Sequence, residues 1–170
     1  MRENLGPLAQ IGYVVPDLKS AAMEWVSRTG IGPWYIAEQV PLDYFRHRGV
    51  QSNIKIGIAT AFTGSLEIEL IAQHNDSPSD YRDVLKRSES DIHHVCFFPQ
   101  DYDQALTSLL SENLEVLQDG AIHGIRFIYL LDPESRIIEM ADLPEDARKR
   151  REARMAEAVE WDGSDSIRSR

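Results

Sequence analysis

Residues 94–106, HVCFFPQDYDQAL, repeat the pattern of residues 10–22, QIGYVVPDLKSAA. Each stretch reads as an apolar strand, a proline-containing turn, an aspartate and then a helix. The offset is 84 throughout, so Asp17 matches Asp101, Leu18 matches Tyr102 and Ala21 matches Ala105. Both aspartates suit helix N-caps, where a carboxylate accepts the unpaired first-turn amides. The first helix is expected to bury Leu18, Ala21, Ala22, Trp25 and Val26 and to end near Gly30. The second is expected to bury Ala105, Leu106, Leu109 and Leu110.

A second pair closes each unit: LEIELIA (66–72) matches RIIEMAD (136–142), with Glu69 against Glu139. Between these ends, WYIAEQ (34–39) and NIKIGIATAF (53–62) read as strands in the first half, LEVLQ (114–118) and RFIYLL (126–131) in the second. Each half is therefore strand, helix and three strands, an α+β arrangement governed by an internal repeat. Between matching positions the first half is 14 residues longer, Gln10 to Glu69 against His94 to Glu139. The surplus is assigned to QVPLDYFRHRGVQ (39–51), and loops of this kind often cover sites. Trp34, Tyr44, Phe45, Arg46 and Arg48 could form either a lid that holds an acidic or CoA-like group or a surface loop with a small aromatic core.

The chain has 170 residues and a formal charge of −10. Residues 144–170 carry seven acidic and seven basic side chains, so the whole excess lies in 1–143. An acidic core argues against nucleic acid and anionic membranes as partners. No apolar run approaches a bilayer span, and MRENLGPLAQ lacks the features of a secretory signal. Cys96 is the single cysteine, which excludes an internal disulfide and points to a reducing cytoplasm. In PEDARKRREARMAEAVE (144–160) a charged helix is expected, its RKRREAR run a solvated face, with WDGSDSIRSR a frayed end.

Chemistry concentrates at DIHHVCFF (91–98). Alternation along a strand puts His94, Cys96 and Phe98 on one face and sends His93 to the other. In the first half the equivalent face carries Gln10, Gly12 and Val14. If the halves are related by a pseudo-twofold axis, Gln10, Glu69, His94 and Glu139 converge. An amide oxygen, an imidazole and two carboxylates suit one divalent ion such as Zn, Ni, Co, Mn or Mg. Burying two carboxylates without a cation is expensive.

The stretches QIGYVVPDL, IELIAQHNDSPSDYRD, IHHVCFF, HGIRFIYLLDP and IIEMADLP resemble the vicinal oxygen chelate superfamily, which includes glyoxalase I, methylmalonyl-CoA epimerase and extradiol dioxygenases. The resemblance implies paired βαβββ modules forming a cupped, eight-stranded mixed sheet around one metal. It implies a domain over 1–143, with modules at about 8–73 and 92–143, followed by a charged helix and flexible tail over 144–170. By resemblance the ligands are Gln10, Glu69, His94 and Glu139, the chain order of human-type glyoxalase I. The epimerase branch has His at the first position, although IELIAQHNDSP and AIHGIRFIYLLDP look more like its segments. The implied activity is that of a lyase or an isomerase/epimerase moving a proton beside a metal-polarised carbonyl.

Glu139 is then the first choice of base. Glu67, two residues from Glu69 and so on the same face, is the second. Trp34, Tyr44, Arg46, His74, His123 and Tyr129 are the candidate substrate contacts. Implied partners are a small carbonyl, thioester or CoA-type substrate and a second copy in a homodimer. A non-haem iron dioxygenase and a non-catalytic small-molecule binder are the rival readings. Gln10, where the former needs a histidine, counts against it.

Overall fold

The computed structural model describes residues 5–87 and 91–169. The first module begins with β1 (Gln10–Val14), α1 (Leu18–Thr29) and β2 (Trp34–Ala37), runs through a short hairpin of β3 (Tyr44–His47) and β4 (Val50–Gln51), and closes with β5 (Ile56–Thr63) and β6 (Leu66–Gln73). After α2 (Asp80–Arg87) the second comprises β7 (Asp91–Phe97), α3 (Tyr102–Ser111), β8 (Glu115–Ile122), β9 (Ile125–Leu131) and β10 (Ile137–Asp142). The chain then forms α4 (Glu145–Val159) and β11 (Ile167–Ser169).

The aspartates cap their helices as a pair. Asp17 accepts from the Ser20 amide at 2.7 Å and Asp101 from the Gln104 amide at 2.9 Å. Gly30, at φ 72°, ends α1 in the left-handed conformation that glycine adopts without strain. Leu18, Ala22 and Ala105 are buried under their helices, whereas Leu110 is 42% exposed. It lies about 100° around α3 from Leu109 and leaves the sheet-facing stripe.

All strands join one sheet in the order β11-β2-β5-β6-β1-β7-β10-β9-β8-β3-β4. The eight strands expected from the repeat form its middle, and three short ones extend its edges. In each module the closing strand runs parallel to the opening one, β6 beside β1 and β10 beside β7. The modules meet where β1 pairs antiparallel with β7. One face of the sheet carries an apolar cluster drawn from both modules, including Val14, Ile71, Phe127 and Tyr129. The opposite face is covered by α1 and α3 over separate clusters.

Three expectations change. The insertion divides: residues 39–42 line the cavity described below, whereas its hairpin lies away from it. Its β3 pairs with β8 at the far edge of module two, burying Phe45 against Tyr81 and Phe127 and tying Arg46 to Asp119. A free strand edge is an unpaired ladder, and this hairpin covers one. Nor is the RKRREAR run wholly solvated, because α4 packs on β5 and turns Arg150, Arg151 and Arg154 toward the cavity described below. The tail is also ordered: β11 pairs with β2, and Trp161 packs where a side chain at Gly32 would stand.

Candidate metal centre

The four central strands, β6, β1, β7 and β10, each supply one donor residue to the concave face. These are Glu69, Gln10, His94 and Glu139 in sheet order. His94 Nε2 lies 2.9 Å from Glu139 Oε2, 3.5 Å from Gln10 Oε1 and 3.6 Å from Glu69 Oε2. Ligand-type atoms of Glu69, His94 and Glu139 all fall within 4.8 Å of one another, and all three residues are buried. Near neighbours in the ladder thus bring together residues up to 129 positions apart, which is what the repeat predicts.

This set fits a divalent cation. Among the described residues, Glu139 Oε2 is one of four buried side-chain polar atoms without a hydrogen-bond partner, and it lies 2.9 Å from His94 Nε2. Buried polar atoms are otherwise satisfied almost without exception. Three oxygens crowd one imidazole nitrogen, and all of them are natural electron-pair donors. A proton on Nε2 relieves one of these contacts; a bound cation relieves all three. Gln10, Glu69, His94 and Glu139 would hold the ion, and a mixed N/O set of this kind suits Zn, Ni, Co, Mn or Mg.

Gly12 makes room for the imidazole. A Cβ there would stand 1.9 Å from His94 Cε1, so the ring lies directly against the β1 backbone. A glycine inside a strand often marks such a close approach, and that was the available signal in the sequence.

His93 departs most from expectation. β1 and β7 change register between Gly12, which pairs with His94, and Tyr13, which pairs with Ile92. The extra residue is His93, a β-bulge that breaks two-residue alternation and re-aims its side chain. His93 therefore lies beside His94 on the concave side, 4% exposed, with Nδ1 3.0 Å from His94 Nδ1. Its Nε2 is 3.1 Å from Asp80 Oδ2. Burial pushes the His93 imidazole below its ordinary value, against the opposing pull of Asp80. Burial also acts to raise the Asp80 carboxyl, but the His93 hydrogen bond and charge leave it lowered.

A cavity of about 480 Å³ is floored by Gln10, Glu69 and Glu139, with largely apolar walls that include Ile56, Ile71, Phe98 and Phe127. Tyr129 lines it, its ring edge-on to His94 at 5.0 Å and its hydroxyl accepting from Tyr81 at 3.1 Å. Burial, reinforced by the Glu139 charge, pushes the Tyr129 phenol well above its usual value and keeps it protonated. Burial does the same to the thiol of Cys96. His123 is at the rim. Glu67 lines the wall, but Arg151 of α4 sits 3.1 Å from its Oε2. That guanidinium also donates to the carbonyls of Ala9 and Ser65 and covers the Phe62 and Phe98 rings.

The other expected substrate contacts lie elsewhere. Trp34 is in the core beneath α1, its indole donating to the Ile31 carbonyl. Tyr44 and Arg46 are on the edge hairpin, and His74 is exposed with Nε2 3.1 Å from the Glu38 carbonyl. None of the four lines the cavity. Conversely, Arg150 and Arg154 line it and were missed, because no sequence pattern says what a charged helix packs against.

Two strand–helix–strand–strand–strand modules joined edge to edge around a buried donor cluster define a known fold class, and comparison supplies its name. Residues 9–129 match the family model described as the glyoxalase/bleomycin resistance protein/dioxygenase superfamily. The chain belongs to that superfamily, the vicinal oxygen chelate group. No curated protein sequence matches it. A hypothetical protein from Bacillus halodurans C-125 superposes with a TM-score of 0.61 at 16% identity, covering 82% of this chain and 95% of that one. Methylmalonyl-CoA epimerase from Mycobacterium tuberculosis does so with 0.57 at 17%, covering 83% and 91%. A variant Streptomyces coelicolor methylmalonyl-CoA epimerase in complex with 2-nitronate-propionyl-CoA gives 0.57 at 15%, covering 84% and 97%. At these identities the likeness is one of fold. Among the described residues, no helix is long and apolar enough to cross a membrane.

Proposed function

We propose that this chain is a metal-dependent lyase or isomerase/epimerase that moves a proton on a carbon next to a carbonyl. The observation that carries the reading is the convergence of Gln10, Glu69 and Glu139 oxygens within 3.6 Å of His94 Nε2 at the floor of an apolar cavity. When bound there, a divalent ion supplies a Lewis acid that makes the C–H beside a polarised carbonyl more acidic.

The chain's own residues would do the rest. Glu139 takes the proton: it lines the cavity, and no donor satisfies its Oε2. Glu67 is the second candidate, although its ion pair with Arg151 favours the charged form and a holding role at the wall. Tyr129, kept as a phenol, offers a hydroxyl at the floor, and the apolar walls limit water around the reacting carbon. His123 at the rim is a substrate contact. Because structurally similar epimerases include one holding methylmalonyl-CoA, an acyl-CoA thioester is the first substrate class, with a thiohemiacetal second. The buried free thiol of Cys96 suits a reducing compartment, and we assign the protein to the cytoplasm.

The test combines metal analysis of the purified protein with proton NMR in D₂O. Exchange of the proton beside the carbonyl is followed for acyl-CoA thioesters and for glutathione thiohemiacetals. Metal-dependent exchange in one class is expected, abolished by Glu139→Gln with at least part of the metal retained. Full exchange in that variant removes Glu139 from the mechanism. Iron with oxygen uptake in place of exchange selects the dioxygenase.

A further inference from the structure

We propose that Asp80 and His93 are positioning residues that decide which nitrogen of His94 carries its proton, and so keep the Nε2 lone pair free for a cation shared with Gln10, Glu69 and Glu139. The idea rests on the reading of His94 as a ligand, because a ligand nitrogen must be bare.

The contacts form a chain through three buried side chains. Asp80 Oδ2 is 3.1 Å from His93 Nε2, His93 Nδ1 is 3.0 Å from His94 Nδ1, and His94 Nε2 faces the donor oxygens. An ionised carboxylate can only accept. His93 therefore donates through Nε2–H, and a neutral imidazole with that proton has a bare Nδ1. The 3.0 Å contact between the two Nδ1 atoms then needs its hydrogen from His94. With its proton on Nδ1, His94 has only a lone pair at Nε2. With a cation on Nε2 this assignment leaves no buried acceptors facing each other, whereas the reverse would set a bare His93 Nε2 against the Asp80 carboxylate.

Local structure is arranged to hold this chain. The bulge brings two consecutive imidazoles side by side, which a regular strand forbids. Asp80 opens α2, where its amide donates to the buried Gln118 Oε1 at 3.1 Å. The Tyr81 ring packs on His93 at 4.9 Å, and Tyr129 packs on both histidines. Metal-binding histidines usually give their second N–H directly to a carboxylate or carbonyl. Here a second histidine passes the polarity of a carboxylate on to the ligand.

The experiment uses the full chain labelled with ¹⁵N-histidine and loaded with Zn²⁺ at about pH 8. Long-range ¹H–¹⁵N correlation reads each tautomer, and visible absorption follows Co²⁺ titration. In the wild type, His94 is expected as the Nδ1–H form and His93 as the Nε2–H form. Asp80→Asn introduces a carboxamide that can donate as well as accept, so the reversed chain becomes accessible. The Nδ1–H form of His94 is then less favoured, and Co²⁺ affinity should fall about 10–100-fold. His93→Phe keeps the ring packing, removes both contacts and should lose affinity to the same extent with an unchanged circular dichroism spectrum. Unaltered Co²⁺ affinity in Asp80→Asn, or a wild-type His93 found as the Nδ1–H form, would overturn the proposal, whether or not His93→Phe folds. If the wild type binds neither Zn²⁺ nor Co²⁺ the metal reading fails and the relay with it, an outcome distinct from wild-type binding that Asp80→Asn leaves unchanged.

Discussion

Replacing Gly12 by alanine is the sharpest probe of the proposed metal centre, since it adds one methyl group and removes none of the four proposed ligands. The added Cβ would stand 1.9 Å from His94 Cε1, 2.4 Å from Nε2 and 2.5 Å from Nδ1. Non-bonded carbons pack at about 3.5 Å or more, so the ring must retreat by roughly 1.6 Å. It has little space for this, being 1% exposed and flanked by His93 and Tyr129. Metal–imidazole bonds are about 2.0–2.1 Å long and tolerate about 0.2 Å of error. A displacement of that size removes His94 from any shared ion. Co²⁺ affinity should therefore fall at least about 100-fold, near 2.8 kcal/mol at about 1.4 kcal/mol per decade. Stability should change less. The Gly12 backbone is not in the left-handed region, so alanine alone would stabilise by about 0.4–1 kcal/mol, against about 1–3 kcal/mol for overpacking. The expected variant is folded, slightly less stable and unable to hold the ion, read by thermal melting beside a Co²⁺ titration. Wild-type Co²⁺ affinity in a folded Gly12→Ala protein would refute the assignment of His94.

Two further outcomes concern the scaffold. Arg151→Met should destabilise in denaturant unfolding, by about 3 kcal/mol at most, by removing the Arg151 cation from buried Glu67, and a second change, Glu67→Met, should restore part of it. No recovery in the double variant would mean that Arg151 holds α4 through its carbonyl and ring contacts instead. In the β9–β10 turn, burial acts to raise the Asp132 carboxyl, but hydrogen bonds from Arg136 and Glu134 leave it below its ordinary value. A lowered carboxyl stabilises the folded state above the usual carboxylate range and loses that contribution as pH falls through its folded value. Asp132→Asn should thus be less stable than wild type at pH 7, with the gap closing below about pH 4, as followed by melting temperature against pH.

The repeat was legible because it is written in local chemistry. A strand, a turn and an N-capping aspartate recur at an offset of 84, and both caps form as expected. The placement of Gln10, Glu69, His94 and Glu139 on one face follows from strand alternation and pseudo-symmetry, neither of which needs knowledge of distant contacts. Leu110 was misjudged by a single position on its helix, which is all that separates a buried from an exposed side chain there.

What the chain alone could not reveal depends on pairing between distant strands. Whether His93 obeys alternation is a property of the ladder between β1 and β7, where one unmatched residue turns its ring inward beside His94. The insertion was recognisable by length, but its destination was set by the open edge of β8, a strand some seventy residues later. Likewise the arginines of α4 read as solvated until β5 and Tyr35 provided a surface for them, with Arg154 over the Tyr35 ring at 4.4 Å. Local propensity and periodicity therefore settled the modules and their four donors. Tertiary packing decided the bulge, the hairpin and the helix over the cavity, because each answers to a partner that sequence-neighbouring residues do not encode.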